Sequence, residues 1–260
     1  WYDSAVFSHI IQLPESIKTI GTMKRILLLM ILVLYSSLNV LAQQQFPLPI
    51  SDHETGFTSI FNGVSLEGWE GDPTYWRVEE RQIIGEVTPE TILKRNSFLI
   101  WRGGTPGDFE LKLEYKVSES GNSGINYRSE EVKDTPYALK GYQCDIDGKG
   151  KWTGQNYEER GRKFLALRGQ MTQQEKNKKA TVYGSLRDKE ALWKYINKEG
   201  WNRVHLIVRG NTMVHIINNH VMSVVIDNDS DNIKMQGLLG VQVHVGPPMT
   251  IAYKNIKIKK

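Results

Sequence analysis

The stretch Phe109-Glu110-Leu111-Lys112-Leu113-Glu114-Tyr115-Lys116-Val117 decides the fold class. Apolar side chains recur at every second position and charged ones fill the gaps. A strand turns successive side chains to opposite faces, so Phe109, Leu111, Leu113, Tyr115 and Val117 point to a core and the charges to water. Such alternation marks a half-buried antiparallel strand. The same period returns at 204–209 and 213–217, which flank the two-residue hairpin signal Gly210-Asn211. A turn at Asn218-Asn219 leads into 221–226, and strands at 238–245 and 251–258 are separated by Gly246-Pro247-Pro248. A first strand is expected at 58–61. Helices are expected only around 171–179 and 188–195, both short. Many short strands with regular turns predict an all-β sandwich or barrel, with one domain over 57–260.

The N-terminal region reads differently. Lys24-Arg25, the apolar run 26–35 and the small residues before Gln43 have the order of a secretory signal peptide over 23–42. The run is shorter than the roughly 20 apolar residues a membrane span needs, so no membrane anchor is expected after cleavage. Residues 1–22 begin with Trp1, ahead of Met23, and are read as an upstream extension; 43–56 reads as a leader. The expected location is periplasmic or secreted. Cys144 is the single cysteine, which excludes an internal disulfide framework. The net charge is +4, and the short cationic stretches at 176–179 and 254–260 read as solvated faces, with no nucleic-acid partner expected.

Three strands carry unusual polar faces. In Gly141-Tyr-Gln-Cys-Asp-Ile-Asp147 alternation sends Tyr142, Cys144 and Ile146 inward and Gln143, Asp145 and Asp147 to the other face. In 121–128, Ile125 and Tyr127 go inward while Asn126 and Arg128 are presented. In 239–246, Val241, Val243 and Val245 go inward while Gln242 and His244 are presented. Lysine, the usual solvating residue, is missing from these faces. Amides, carboxylates and a guanidinium offer the directional donors and acceptors that ring hydroxyls need, so the expected partner is a carbohydrate. The segment 152–161 reads as a long rim loop, where Trp152 or Tyr157 would stack on a sugar and Glu158 or Arg160 would reach it. Trp201 and Asn202 read as packing and turn residues. His205, His215 and His220 lack metal-ligand spacing and read as ordinary strand and turn residues.

With these residues in view, the chain resembles the 3-keto-disaccharide hydrolase domain family. The resemblance rests on Phe57-Thr-Ser-Ile-Phe-Asn-Gly63 with Leu66, Gly68 and Trp69, on Gly121-Asn-Ser-Gly-Ile125 with Arg128, and on Gly141-Tyr-Gln143 leading to Asp147. Gly200-Trp-Asn-Arg203, Gly240-Val-Gln-Val-His244 and Asn255-Ile-Lys-Ile258 complete it, so that it spans 57–258. It implies a concanavalin A-like jelly roll of two antiparallel sheets with a concave polar face, and cleavage of glycosides already oxidised to a ketone at C3. A C3 ketone acidifies the C2 hydrogen, so a base can remove it and expel the C1 substituent, after which water adds back. The route needs a base, a group that polarises the ketone and a proton donor. Asp145 or His244 would be the base and Arg128 the polariser; a divalent cation held by Asp145, Asp147 or His244 is the alternative polariser. The chain departs from the family where the middle strand commonly reads Glu-x-Gln-x-x-Asp: here the carboxylates are Asp145 and Asp147. Laminarinase-type glycosidases of similar fold use Glu-x-Asp-x-x-Glu, and Gln143 stands at their nucleophile's position. An amide cannot form a glycosyl-enzyme intermediate, which argues against ordinary double displacement. A non-catalytic carbohydrate-binding module is the other reading, since a jelly roll does not itself imply chemistry.

Overall fold

The computed structural model describes residues 55–260; the extension 1–22, the signal peptide 23–42 and the leader up to residue 54 lie outside the described residues. In chain order the strands are β1 (Thr58–Ser59), β2 (Trp69–Glu70), β3 (Trp76–Glu79), β4 (Gln82–Val87), β5 (Ser97–Trp101) and β6 (Phe109–Val117). Then come β7 (Asn122–Glu131), β8 (Leu139–Asp147), β9 (Asn156–Glu159), β10 (Lys163–Ala166), β11 (Gln170–Glu175) and β12 (Thr181–Ser185). After the helix α1 (Lys189–Trp193) follow β13 (Asn202–Arg209), β14 (Thr212–Ile217), β15 (His220–Asn228), β16 (Leu238–Val243) and β17 (Met249–Lys259).

These build two sheets. One runs β12-β11-β15-β14-β13-β6-β17-β4-β3, with β1 beside β17; the other runs β10-β9-β8-β7-β16-β5-β2. Every pair is antiparallel except β11 with β15. The first sheet contributes Leu111, Leu113, Tyr115, Leu206 and Ile251 to the core, and the second meets them with Ile125, Tyr127, Tyr142, Cys144 and Ile146. Of the sandwich or barrel expected from the alternation, the fold is the two-sheet sandwich that the family resemblance implies. Both sheets bury one face against the other, which is what a two-layer domain requires.

Local chemistry explains the turns. Asn218 and Asn219 have φ of 49° and 65°, the left-handed pair that a two-residue hairpin demands and asparagine tolerates. At α1, the Asp188 side chain accepts from the backbone N–H groups of Glu190 and Ala191, so this helix starts where an N-cap residue allows it.

Three expectations are corrected. No helix forms at 171–179: β11 runs there, parallel to β15. Its inward side chains are polar, with Thr172 and Gln174 both donating to the Leu165 carbonyl, so no apolar alternation announces the strand. The segment 152–161 is not a free loop, because Asn156–Glu159 adds β9 to the edge of β8. Val245 is 39% exposed; β16 ends at Val243, and the Val245 N–H leaves the ladder to donate to Asn96 Oδ1.

Arg128 is the fourth correction, and its place is architectural. A bulge shifts the register of β7 against β8 between Tyr127 and Glu130, and Arg128 sits in it with φ of 44°. Its buried guanidinium donates to the carbonyls of Gly107 (3.0 Å), Gly210 (2.7 Å) and Lys234 (3.2 Å) and to Asp108 Oδ1 (3.1 Å). One side chain thus joins the approach to β6, the β13–β14 turn and the β15–β16 connection. Arg128→Met would leave these acceptors without their donor. The expected loss is about 2–4 kcal/mol of stability in denaturant titrations. A variant as stable as wild type would contradict this placement.

Candidate functional site

With Tyr142, Cys144 and Ile146 fully buried between the sheets, β8 turns Gln143 and Asp145 to the outer face of its sheet. Register places Tyr157 beside Gln143 and Glu159 beside Gly141 on β9, and Asn126 beside Gln143 on β7. A chain of amides runs across this floor. Gln242 Nε2 donates to Gln143 Oε1 (3.1 Å), Gln143 Nε2 to Asp145 Oδ1 (2.6 Å), and Gln155 Nε2 to Asp145 Oδ2 (2.5 Å). Gln143 can lie across β7 because residue 124 is glycine: a Cβ there would stand 2.4 Å from Gln143 Cδ.

Asp145 is 7% exposed, and its partners are neutral. Burial pushes its carboxyl up to about 7, aided by the charges of Asp147 and Glu159 and opposed by the two amide hydrogen bonds. Glu159 is also raised, chiefly by burial, against an Asn96 hydrogen bond and the nearby positive charge of Arg160 and His244. The Arg160–Glu159 contact is 4.0 Å. The Tyr157 phenol is raised by burial and by Glu159 and Asp145, and so stays protonated at neutral pH.

Support comes from the core below. The Gln155 carbonyl accepts from the Asp145 N–H (3.2 Å) and lies 3.2 Å from His215 Nδ1. His215 Nε2 is 2.8 Å from the Tyr127 hydroxyl, which Asn156 Nδ2 also donates to (2.9 Å). A carbonyl only accepts, so Nδ1 carries the proton and Nε2 accepts from Tyr127. Burial holds His215 down to about 3, keeping it neutral.

Above the floor opens a cleft of about 480 Å³, lined by Asn96, Asn122, Gln143, Asp145, Trp152, Gln155, Tyr157, Glu159, Arg160, Phe164 and His244. Its size falls in the range of small-ligand sites. Trp152 stacks on Phe164 with centroids 5.4 Å apart, and Tyr157 meets Phe164 edge-on at 5.2 Å. An aromatic wall over amides and the two carboxyls of Asp145 and Glu159 suits a ring with an apolar face and polar rim.

Of the residues expected from the sequence, the cleft brings together Gln143, Asp145, Trp152, Tyr157, Arg160 and His244. Gln242 and Asn126 lie beneath the floor, fully buried. Asp147 is used by its own loop: Oδ1 accepts from the N–H groups of Trp152 and Thr153 and from Thr153 Oγ1, and Oδ2 from the Lys151 N–H. Glu158 alternates to the inner side, bound to Arg162 at 2.7 Å, and Arg162 continues to Asp227 and Asp229. Arg128 is elsewhere, as described. A cation shared by Asp145, Asp147 and His244 does not fit this arrangement. Asp147 has both oxygens engaged, and among the described residues no three His, Cys, Asp or Glu side chains converge as a metal-binding group. Asn96, Asn122, Gln155, Glu159 and Phe164 were not expected. The available signal was Asn156-Tyr-Glu-Glu159, whose alternation puts Tyr157 and Glu159 together.

The model of a 3-keto-alpha-glucoside-1,2-lyase-like domain matches residues 56–259. A 3-keto-disaccharide hydrolase of Bacteroides thetaiotaomicron is 34% identical over 103 residues, covering 37% of this chain and 34% of that protein; the match thus spans about a third of that relative's length. Two crystal structures of proposed glycosyl hydrolases from Parabacteroides distasonis ATCC 8503 superpose with TM-scores of 0.54 and 0.52 at 17% and 20% identity. Each covers 78% of this chain, and 98% and 93% of theirs. A Bacillus subtilis protein of unknown function with a galectin-like fold gives 0.51 at 11% identity over 75% of this chain and 90% of that one. At these identities the structural likeness is one of fold.

Two outcomes test the floor. Gly124→Ala is expected to dislodge Gln143, removing a donor from the Asp145 carboxylate and moving its titration above about 7, read by carboxyl-carbon NMR. An unmoved titration would refute the role given to Gln143. Asp145→Asn tests the linkage. The carboxyl sits at about 7 in the folded chain against an ordinary 3.8, so the folded state holds the extra proton between these values. The raised group stabilises fully below about 4, and that contribution is lost as pH rises through about 7. The melting temperature of the variant, relative to wild type, should therefore climb from pH 4 to pH 8.

Proposed function

The chain belongs to the 3-keto-alpha-glucoside-1,2-lyase-like family, and on that premise we propose that it cleaves glycosides carrying a ketone at C3, with Asp145 as the base. The supporting observation is the Asp145 carboxyl on the floor of a small-ligand-sized cleft, held by two amides and pushed up to about 7. A base is most useful when its pKa lies near the operating pH.

The chemistry follows from the substrate. The ketone acidifies the C2 hydrogen; Asp145 takes that proton and the electron pair becomes the enolate of C2 and C3. As the carbonyl re-forms, a double bond forms between C1 and C2 and the C1–O bond breaks. The leaving oxygen takes a proton, for which the Tyr157 phenol is the donor. Water then adds across C1 and C2, so the net result is hydrolysis. Arg160 and His244 supply positive or donor groups for the enolate oxygen, the part the sequence had assigned to Arg128. Trp152 and Phe164 would pack on the sugar face. The signal sequence expected at 23–42 supports action outside the cytoplasm.

The test is incubation with a 3-keto-glucoside and with its unoxidised parent. Aglycone should leave only the oxidised sugar, at a rate rising with pH through about 7 as Asp145 ionises. Asp145→Asn should cut kcat by roughly 10²–10⁴-fold and leave binding largely intact. Release from the parent alone would point to ordinary hydrolysis. Binding with no turnover of either sugar would leave a carbohydrate-binding module.

A further inference from the structure

A second cleft, of about 380 Å³, lies along the same segment of chain as the first. Its lining comes from three connections: Asp72 and Tyr75 between β2 and β3, Ile92 to Arg95 between β4 and β5, and Pro136 and Tyr137 between β7 and β8, with Ser97 at the start of β5. Asn96, between Arg95 and Ser97, lines the first cleft. One short stretch, 92–97, therefore borders both.

The chemistry of the second cleft differs from that of the first. Lys94 and Arg95 are exposed and make no ion pair and no side-chain hydrogen bond with any described residue, whereas Arg102, Arg128 and Arg162 are each paired with carboxylates. The one carboxylate in the lining, Asp72, already accepts from the Thr74 N–H, and the cleft carries a net positive charge. Ser97 is 7% exposed and belongs to the cleft lining, and its hydroxyl has no hydrogen-bond partner among the described residues. Tyr75 and Tyr137 are half-buried and line the cleft, Tyr75 also packing against the edge of the core. Tyr137 is held with φ of 55°, an uncommon conformation for an aromatic residue, while its carbonyl accepts from the Phe98 N–H.

From these features we infer that the second cleft is a binding subsite for an acidic saccharide unit. Lys94 and Arg95 meet the carboxylate, Ser97 a hydroxyl, and Tyr75 and Tyr137 the ring. Arginine and lysine without internal partners keep their donors for an anion, and tyrosines supply area with a polar tip. The choice of a sugar as ligand rests on the carbohydrate reading of the first cleft; the negative charge is read from this cleft alone. A substrate reaching across 92–97 would place its reacting unit over Asp145 and an acidic neighbour here.

Titration of the full chain with digalacturonate, cellobiose and inorganic sulfate, followed by calorimetry and amide NMR, tests this without any turnover. Digalacturonate should bind with shifts at Tyr75, Tyr137 and Ser97, and cellobiose at least about tenfold more weakly. The double variant Lys94→Ala/Arg95→Ala should weaken digalacturonate by about tenfold, and Asp145→Asn should not affect it. Equal affinity for cellobiose, or no effect of the double variant, would overturn the inference. Sulfate binding as tightly as digalacturonate would reduce the cleft to an anion site and overturn its saccharide part. Digalacturonate binding by a chain that turns over no 3-keto-glucoside would uphold this subsite and count against the proposed reaction alone.

Discussion

Strand β8 can be placed only one way. Tyr142, Cys144 and Ile146 are fully buried between the sheets, and a slip of one residue would drive Gln143, Asp145 and Asp147 into that apolar layer. Burying an unpaired carboxylate there would cost several kcal/mol, so packing of one face sets the chemistry of the other. The neighbouring strands inherit the constraint. Ile125 and Tyr127 on β7 face the same core as Val241 and Val243 on β16, which leaves Gly124, Asn126 and Gln242 to meet Gln143 on the outside.

The floor so made is polar without being charged. An arginine beside Asp145 would hold its carboxyl low; two glutamine amides stabilise the anion only partly, and burial prevails. The cost of a carboxyl poised near neutrality is lost stability above its pKa, which the surrounding structure offsets through its large shared core. Two arginines serve elsewhere. Arg128 binds three connections together, and Arg162 joins Glu158 to Asp227 and Asp229. Neutral His215, reaching up from the other sheet to the Gln155 carbonyl, links the sandwich interior to the site with no added charge.

The residues that were legible in the sequence are those whose neighbours are covalent or cross-strand. Gln143 and Asp145 follow from alternation alone, and so do Tyr142, Cys144 and Ile146. Alternation also assigned Asn126 and Gln242 to the correct face, but a face has depth, and both lie beneath Gln143, where the Asn126 side chain has no hydrogen-bond partner among the described residues. Asp147 shows another limit: same-face placement at the end of a strand says nothing about a following loop folding its amides back onto the carboxylate. Arg128 was misplaced because a bulge breaks the two-residue period, and nothing local in 121–128 declares it.

By itself, the sequence determined the strand period, the hairpin turns and the apolar face of each strand, because these depend on backbone geometry and on side chains a few residues apart. It therefore determined an all-β sandwich or barrel and the strand that carries the candidate site. Only the tertiary structure decided which polar residues share a cleft. Asn96 and Gln155 come from separate connections, Glu159 from β9 and Phe164 from the edge strand β10, and their meeting over Asp145 depends on sheet order and register. The pKa of Asp145 belongs to that second class, since it arises from burial and from partners that no stretch of sequence brings together.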